Sequence, residues 1–550
     1  MQSLVRKLAL AASALLALTL VFYLAVGPTG EGTGHHLPEW RWSGNFWKGG
    51  KMPYDFPSDV GYPGPTQKGP PSQLAQEDTV SQSGAVKKPW NPLPLEIALP
   101  DAQSQYGNFE PFLHMGPLTP YAASSGFGID DGKYGRMPDG CIIEQVHYLS
   151  RHGSRYPTSG SPANLIRDLL GQSPRPVFSG PLSFLNAYRY RLGKELLVPV
   201  GRQQLYDEGV SAIISYGNLI YEDIATFGTL FARAGSQHRI VESARNWLAG
   251  ALGVGGTWEN SSTLEIQIEA DGFNTTLAPN FACPNAGKAG WEVGNAWKEE
   301  WINDYAKAAV ERLQPYVKGV TLTPKLINAL QQVCSYDTVA GFDSTALCSL
   351  FTKEEWLGYE YAWDLEFYGG YGSGSSVGPA QGVGWLNEML ARLEGQAWDP
   401  RLQTSENSTF DAHPRTFPVD RRFYVDFTHD SVIANVLAAL DLPAFARELP
   451  VHRPDPQRMY RTSQLVPFGA RLIVEKLQCQ ASSRFPAVTS NNVTEGRFIR
   501  MKLNDALLPL DSLSACASEK RKDGVCSMDA FLKSYEGRME RVKWERCFEK

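Results

Sequence analysis

Apolar and polar residues are arranged differently along three stretches of the chain, and each arrangement predicts a different element. From Leu8 to Val26 no charged residue interrupts the apolar run, which follows Arg6 and Lys7. At about 1.5 Å per helical residue that run approaches the thickness of a bilayer core. Residues 1–26 therefore read as an uncleaved signal anchor with the rest of the chain outside the cytoplasm, or as a cleaved signal peptide. From 27 to 94 the chain turns to Gly, Pro, Ser and scattered aromatics, as in GYPGPTQKGPPS. Such a segment cannot bury a core and reads as a linker or stalk. The aromatic cluster Trp40, Trp42, Phe46 and Trp47 fits a surface contact or an arm packed on the domain. The pair His35 and His36 lacks the further ligands that a metal site needs.

Periodic patterning starts near Leu95. Ile142–Leu149 is a short apolar, β-branched run that predicts a buried strand. In Ser236–Leu252 the residues Ile240, Val241, Ala244, Trp247, Leu248 and Ala251 recur at helical spacing. Helix is also expected over Trp291–Leu313, and another opening at Thr323-Pro324, an N-cap followed by proline. Arg422–Phe427 predicts a second core strand that runs through His429-Asp430 into an apolar helix, Ser431–Leu440. Strands near Ala470–Leu477 and Arg497–Leu503 follow, the latter ending at an Asn504-Asp505 turn. The alternation of strand, polar loop and helix predicts an α/β sheet with its ligand site beyond the carboxyl ends of strands.

Composition narrows the function. A net charge of −6 and a pI near 5.9 exclude the basic balance of a nucleic-acid binder. All eight cysteines follow Gly140 and none forms a C-x-x-C motif, so disulfides are expected rather than metal or redox chemistry. Sequons at Asn260, Asn274, Asn407 and Asn492 point to the same oxidising, glycosylating compartment.

The chemistry concentrates in Arg151-His152-Gly153-Ser154-Arg155-Tyr156-Pro157, directly after the first core strand. Guanidinium forks match phosphate oxygens, glycine admits close backbone approach, and imidazole can attack phosphorus. The complete R-H-G-x-R-x-P signature resembles the histidine phosphatase superfamily, in the acid phosphatase branch that includes the fungal phytases. His429-Asp430 at a strand end and Arg239 in Ser-Gln-His-Arg-Ile-Val-Glu-Ser-Ala match the family in the same order. The resemblance extends from about Leu95 to the C-terminus, through Gly378-Pro379-Ala380-Gln381-Gly382-Val383-Gly384 and Val466-Pro467-Phe468-Gly469-Ala470.

The resemblance implies a phosphoglycerate-mutase-like α/β sheet domain over 95–550, with a mainly helical cap within about 160–235 and 290–400. It implies His152 as nucleophile and Asp430 as general acid, with Arg151, Arg155, Arg239 and His429 binding the phosphoryl group. No metal or cofactor and no obligate protein partner is implied. The substrate would be a small phosphate monoester. Because a general acid must enter protonated, activity should peak at acidic pH. The family further suggests the pairs Cys141–Cys479, Cys283–Cys547, Cys334–Cys348 and Cys516–Cys526. Fungal phytases commonly have another bridge near their N-terminus, which this chain lacks the cysteines to form.

Neighbouring residues carry plainer readings. His147 is expected to be a packed core histidine, His238 need not face the pocket, and Glu242 either meets a pocket arginine or lies on the helix surface. Thr158–Ala163 contains no lysine, and Asp364–Tyr368 places acids and aromatics on a pocket wall where phytase-like chains tend to be basic. This favours a phosphatase of broad or less charged specificity over a dedicated phytase. A phosphotransferase and a non-catalytic membrane-tethered binding protein remain the alternatives from other classes.

Overall fold

The computed structural model describes residues 109–549 apart from 139, 255–256 and 481–495. The leader at 1–26, the linker at 27–94 and the sequon at Asn492 lie outside the described residues. Among those described, no helix is long and apolar enough to cross a membrane.

Eight strands form the central sheet: β1 (Cys141–Arg151), β2 (Leu230–Gly235), β3 (Ser262–Gln267), β4 (Phe423–Thr428), β5 (Arg471–Cys479), β6 (Gly496–Leu503), β7 (Ala506–Leu507) and β8 (Cys526–Ser527). Their order is β8-β6-β5-β1-β4-β2-β3, with β7 paired to β6. The half β3-β2-β4-β1 is parallel, whereas β5, β6 and β8 add on antiparallel. The β6–β7 hairpin turns through Asn504 and Asp505 at φ 48° and 69°, left-handed values that Asn and Asp tolerate better than other side chains.

Both faces of the sheet are covered, which is why β1, β2 and β4 are buried almost throughout rather than alternating. On one face lie α1 (Pro199–Phe227) and α2 (His238–Leu252), and Trp247 of α2 packs against Tyr148, Phe423 and Phe427. The helical layer comprises α3 (Glu292–Tyr305), α4 (Pro324–Val339), α5 (Lys353–Gly370), α6 (Gly378–Glu394) and α7 (Asp430–Leu440). Thr323 caps α4 by accepting from the Leu326 amide. Thr352 and Glu355 form a reciprocal capping box on α5. The 160–235 stretch expected in the helical cap ends in β2, which pairs with β4 inside the sheet. The Trp291–Leu313 helix is interrupted at Ala306.

Disulfides join Cys141 to Cys479, Cys283 to Cys547, Cys334 to Cys348 and Cys516 to Cys526, the pairing the resemblance implied, and leave no free cysteine. Four bridges place the chain in the oxidising secretory pathway. Cys141–Cys479 lies across paired positions of β1 and β5.

Candidate active site

Parallel pairing of β1 with β4 sets Arg151 beside Thr428, so the next residues on each strand, His152 and His429, emerge side by side. Their rings stand 6.0 Å apart, edge to face. β4 passes directly into α7, whose first residue is Asp430. β2 leads into α2, whose second residue is Arg239. Carboxyl ends of neighbouring parallel strands thus bring together residues up to 279 positions apart.

The turn after β1 is held by close packing. A Cβ on Gly153 would lie 2.1 Å from the Gly201 carbonyl oxygen, and one on Gly201 would lie 2.0 Å from that of Ser154. Only glycine at both positions lets the first turn of α1 press on the loop. Ser243 Oγ accepts from the Gly153 amide at 3.2 Å and Gln204 Oε1 from the Ser154 amide at 2.9 Å. Opposite, the Gly469 amide donates to the His152 carbonyl at 3.1 Å, with Gly469 at φ +68°.

His152 is buried, and its Nδ1 lies 2.9 Å from the Gly153 carbonyl oxygen. A carbonyl can only accept, so Nδ1 carries the hydrogen and Nε2 keeps its lone pair. Burial, followed by Arg151, Arg155, Arg239 and His429, holds this imidazole well below its ordinary pKa, in the neutral form.

Arg151 is fully buried. It donates to the carbonyls of Pro117 and Val466 and to Asp430 Oδ2, each at 2.5 Å. Its guanidinium lies 4.5 Å from the Phe468 ring centroid, a ring that also faces Arg155 at 6.0 Å. Burial pushes Arg151 down to about 10; Asp430 holds it up while Arg155 pushes it further down. Arg239 is also lowered to about 10, by burial and then Arg155, with Glu195 opposing. The Nε atoms of Arg151, Arg155 and Arg239 are buried without a hydrogen-bond partner. Three cations thus converge with too little negative charge around them, which is the electrostatics of an anion site.

Asp430 faces this group. Burial raises its carboxyl, but Arg151, Arg155 and His429 pull harder, and the net shift is downward. Its Oδ1 accepts from the Ser431 amide at 2.8 Å.

Two acids at the site have no sequence signature. Glu269, just after β3, accepts from His429 Nε2 at 2.7 Å and from Gln237 Nε2 at 2.8 Å. Glu195 bonds Arg239 Nη1 at 2.9 Å. Both were missed because nothing in their local sequence marks them.

The remaining expectations resolve individually. His147 is buried, stacked on Tyr424, and pushed well below its ordinary pKa by burial. Glu242 pairs with Arg245 one turn along its helix at 2.9 Å, not with a pocket arginine. Asp364 and Glu366 do not form a free acidic wall. Asp364 is buried against Arg458 Nε at 2.7 Å and the Thr462 amide at 2.7 Å, and Glu366 pairs with Lys298. The sequons differ in setting: Asn260 is exposed, whereas Asn274 and Asn407 are half-buried.

A profile for the histidine phosphatase superfamily, branch 2, matches residues 142–504. The chain belongs to that family. Phytase A of Emericella nidulans is 33% identical, with 75% of this chain and 86% of that protein aligned. Phytase A of Aspergillus oryzae is 31% identical, with 80% and 92% aligned. Among solved structures, the phytase from D. castellii superposes with a TM-score of 0.63 at 24% identity, covering 83% of this chain and 91% of that one. The multiple inositol polyphosphate phosphatase of Bifidobacterium longum, in complex with phosphate, gives 0.52 at 15% identity, covering 72% and 92%. These likenesses carry the histidine phosphatase fold over the described domain, and the branch is one of phosphoric monoester hydrolases.

Proposed function

We propose that this histidine phosphatase hydrolyses phosphate monoesters through a phosphohistidine on His152. The observation that carries the reading is the meeting of a neutral, hydrogen-fixed imidazole and a carboxyl group across three under-neutralised guanidinium groups. Arg151, Arg155, Arg239 and His429 would hold the phosphoryl oxygens and offset the charge that spreads over them in the transition state. The lone pair of Nε2 attacks phosphorus, the ester P–O bond breaks, and protonated Asp430 gives its proton to the leaving oxygen. Water then attacks phosphorus, Asp430 takes up a proton, the P–N bond breaks and phosphate leaves.

The lowered carboxyl of Asp430 refines the role expected of it. Without substrate its surroundings favour the carboxylate. An incoming phosphate takes over the guanidinium groups that stabilise the carboxylate and adds negative charge beside it, so substrate binding itself favours protonation. A monoanionic ester can bring that proton with it, which places maximal activity on the acidic side of neutrality. A rate profile across pH on the purified chain tests this, and a maximum well above pH 7 overturns the role given to Asp430.

For the substrate, the lysine-free Thr158–Ala163 segment favours a broad phosphomonoesterase. Phytate is the second reading, supported by the relatives named Phytase A and by the pairing of Asp364 with Arg458 and Glu366 with Lys298, which removes the acidic wall. Comparing kcat/KM for phytate and a simple aryl phosphate on one preparation decides between them, and a strong phytate preference overturns the first.

The uncharged run Leu8–Val26 behind Arg6 and Lys7 supports membrane tethering of the catalytic domain on the lumenal or outer side. Carbonate extraction of membranes from expressing cells tests it, and complete release of the full-length chain counts against an anchor.

A further inference from the structure

The segment before α1 runs antiparallel to the signature loop. The Val198 amide donates to the Ser154 carbonyl at 3.0 Å, Tyr156 to Leu196 at 2.9 Å, and Glu195 to Pro157 at 3.0 Å. At the end of this ladder Glu195 stands at φ +65°, a left-handed conformation rare for a residue that is neither Gly, Asn nor Asp. Strain of this kind persists where surrounding contacts impose it, and it clusters at functional sites. Here the contacts are specific: Oε1 accepts from the Ser159 amide at 3.0 Å, and Oε2 meets Arg239 Nη1 at 2.9 Å. One carboxylate therefore joins the loop that carries His152 and Arg155 to the guanidinium on α2. Its side chain is only 34% exposed.

We propose that Glu195 is a positioning residue that sets the affinity of the site for phosphate by placing a negative charge on Arg239. The inference rests on the phosphate-binding role given to Arg239 above. A carboxylate bonded to that guanidinium competes with phosphate for its N–H groups, so the free site is kept ordered while the phosphate released after each turnover is held less tightly. Substrate and product meet the same competition, and product release gains from it. A purely structural strap would behave in the opposite way, because loosening it would always weaken phosphate binding.

The test measures binding of inorganic phosphate by calorimetry, and its inhibition of aryl phosphate hydrolysis, on the full chain. Glu195→Gln removes the charge at similar size, and Glu195→Asn removes it in a residue suited to the left-handed backbone, so one readout survives if the other variant does not fold. Both should tighten phosphate about three- to tenfold, with KM for the ester falling in parallel, since the charge term outweighs one lost hydrogen bond. In an Arg239→Ala background the same substitutions should shift phosphate affinity by less than about twofold, since the pair acts through Arg239. Weaker binding in both variants, or equal tightening without Arg239, overturns the proposal. If Arg239→Ala alone leaves phosphate binding at the wild-type level, the role of Arg239 has failed and the inference fails with it. If Arg239→Ala weakens binding while the Glu195 variants do not tighten it, only the inference fails.

Discussion

Two buried arginines on the strands that flank β4 in the sheet have opposite electrostatic surroundings. Arg233, in the middle of β2, meets both oxygens of Asp426 at 2.8 and 2.7 Å and Glu388 at 2.6 Å. Burial alone would lower it, but those carboxylates raise it well above its ordinary value. Arg151, at the end of β1, has a single carboxylate partner, two carbonyls and an arginine neighbour, and it is lowered to about 10. Two carboxylates meet the first cation and only one meets the second. Within this pair, charge balance rather than burial separates the two arginines.

Substitutions that break one side should leave the other standing. The largest effect is expected at the site itself: His152→Ala should cost on the order of 10⁴-fold or more in kcat, with thermal unfolding within a few degrees of wild type. Next, Arg233→Met strands Asp426 and Glu388 in the core and should cost about 3–5 kcal/mol of stability, read by denaturant unfolding, while activity per folded molecule persists. Arg151→Met should reverse the pattern, losing about 10²- to 10³-fold in kcat/KM with a smaller stability change than Arg233→Met.

Asp337 sharpens the comparison from the anionic side. Buried in α4 and bonded to the Tyr188 hydroxyl at 2.6 Å, it has no guanidinium partner, and burial pushes it up to about 7. Its pKa is raised in the fold, so the folded chain keeps a proton that the unfolded chain releases. The contribution is present at acidic pH and is lost as pH rises from about 4 to about 7. Asp337→Asn should therefore raise stability near pH 8 by on the order of 3 kcal/mol and change little at pH 4, as measured by unfolding at both. The smallest effect is expected for Glu269→Gln, which keeps an acceptor for His429 but removes the charge. About a tenfold fall in kcat/KM is the expected loss for one weakened charge-assisted bond.

Much of this arrangement is legible in the sequence. The strands β1, β4, β5 and β6 lie within two residues of their expected bounds, because β1 and β4 are largely apolar runs ended by a polar break and the apolar residues of β5 and β6 stand out between charged ones. The signature loop and His429-Asp430 were readable because their residues are contiguous. β2 was not: Leu-Phe-Ala-Arg-Ala-Gly is short and alanine-rich, and its burial comes from neighbours on both sides rather than from its own pattern. Glu195 and Glu269 were illegible for a different reason. Each acquires meaning only from a partner 44 or 160 residues away. Asp364 and Glu366 were misread as an open acidic surface because sequence shows charges without their partners, here Arg458 and Lys298.

The glycine contact between residues 153 and 201 divides the protein into parts that tolerate change unequally. Neither position accepts even a methyl group without displacing a main-chain carbonyl beside His152. Efforts to redirect this phosphatase toward new esters should therefore hold that keel constant and diversify the exposed positions Ser159 and Gly160, leaving the buried Ser161 and Ala163 that follow them in place.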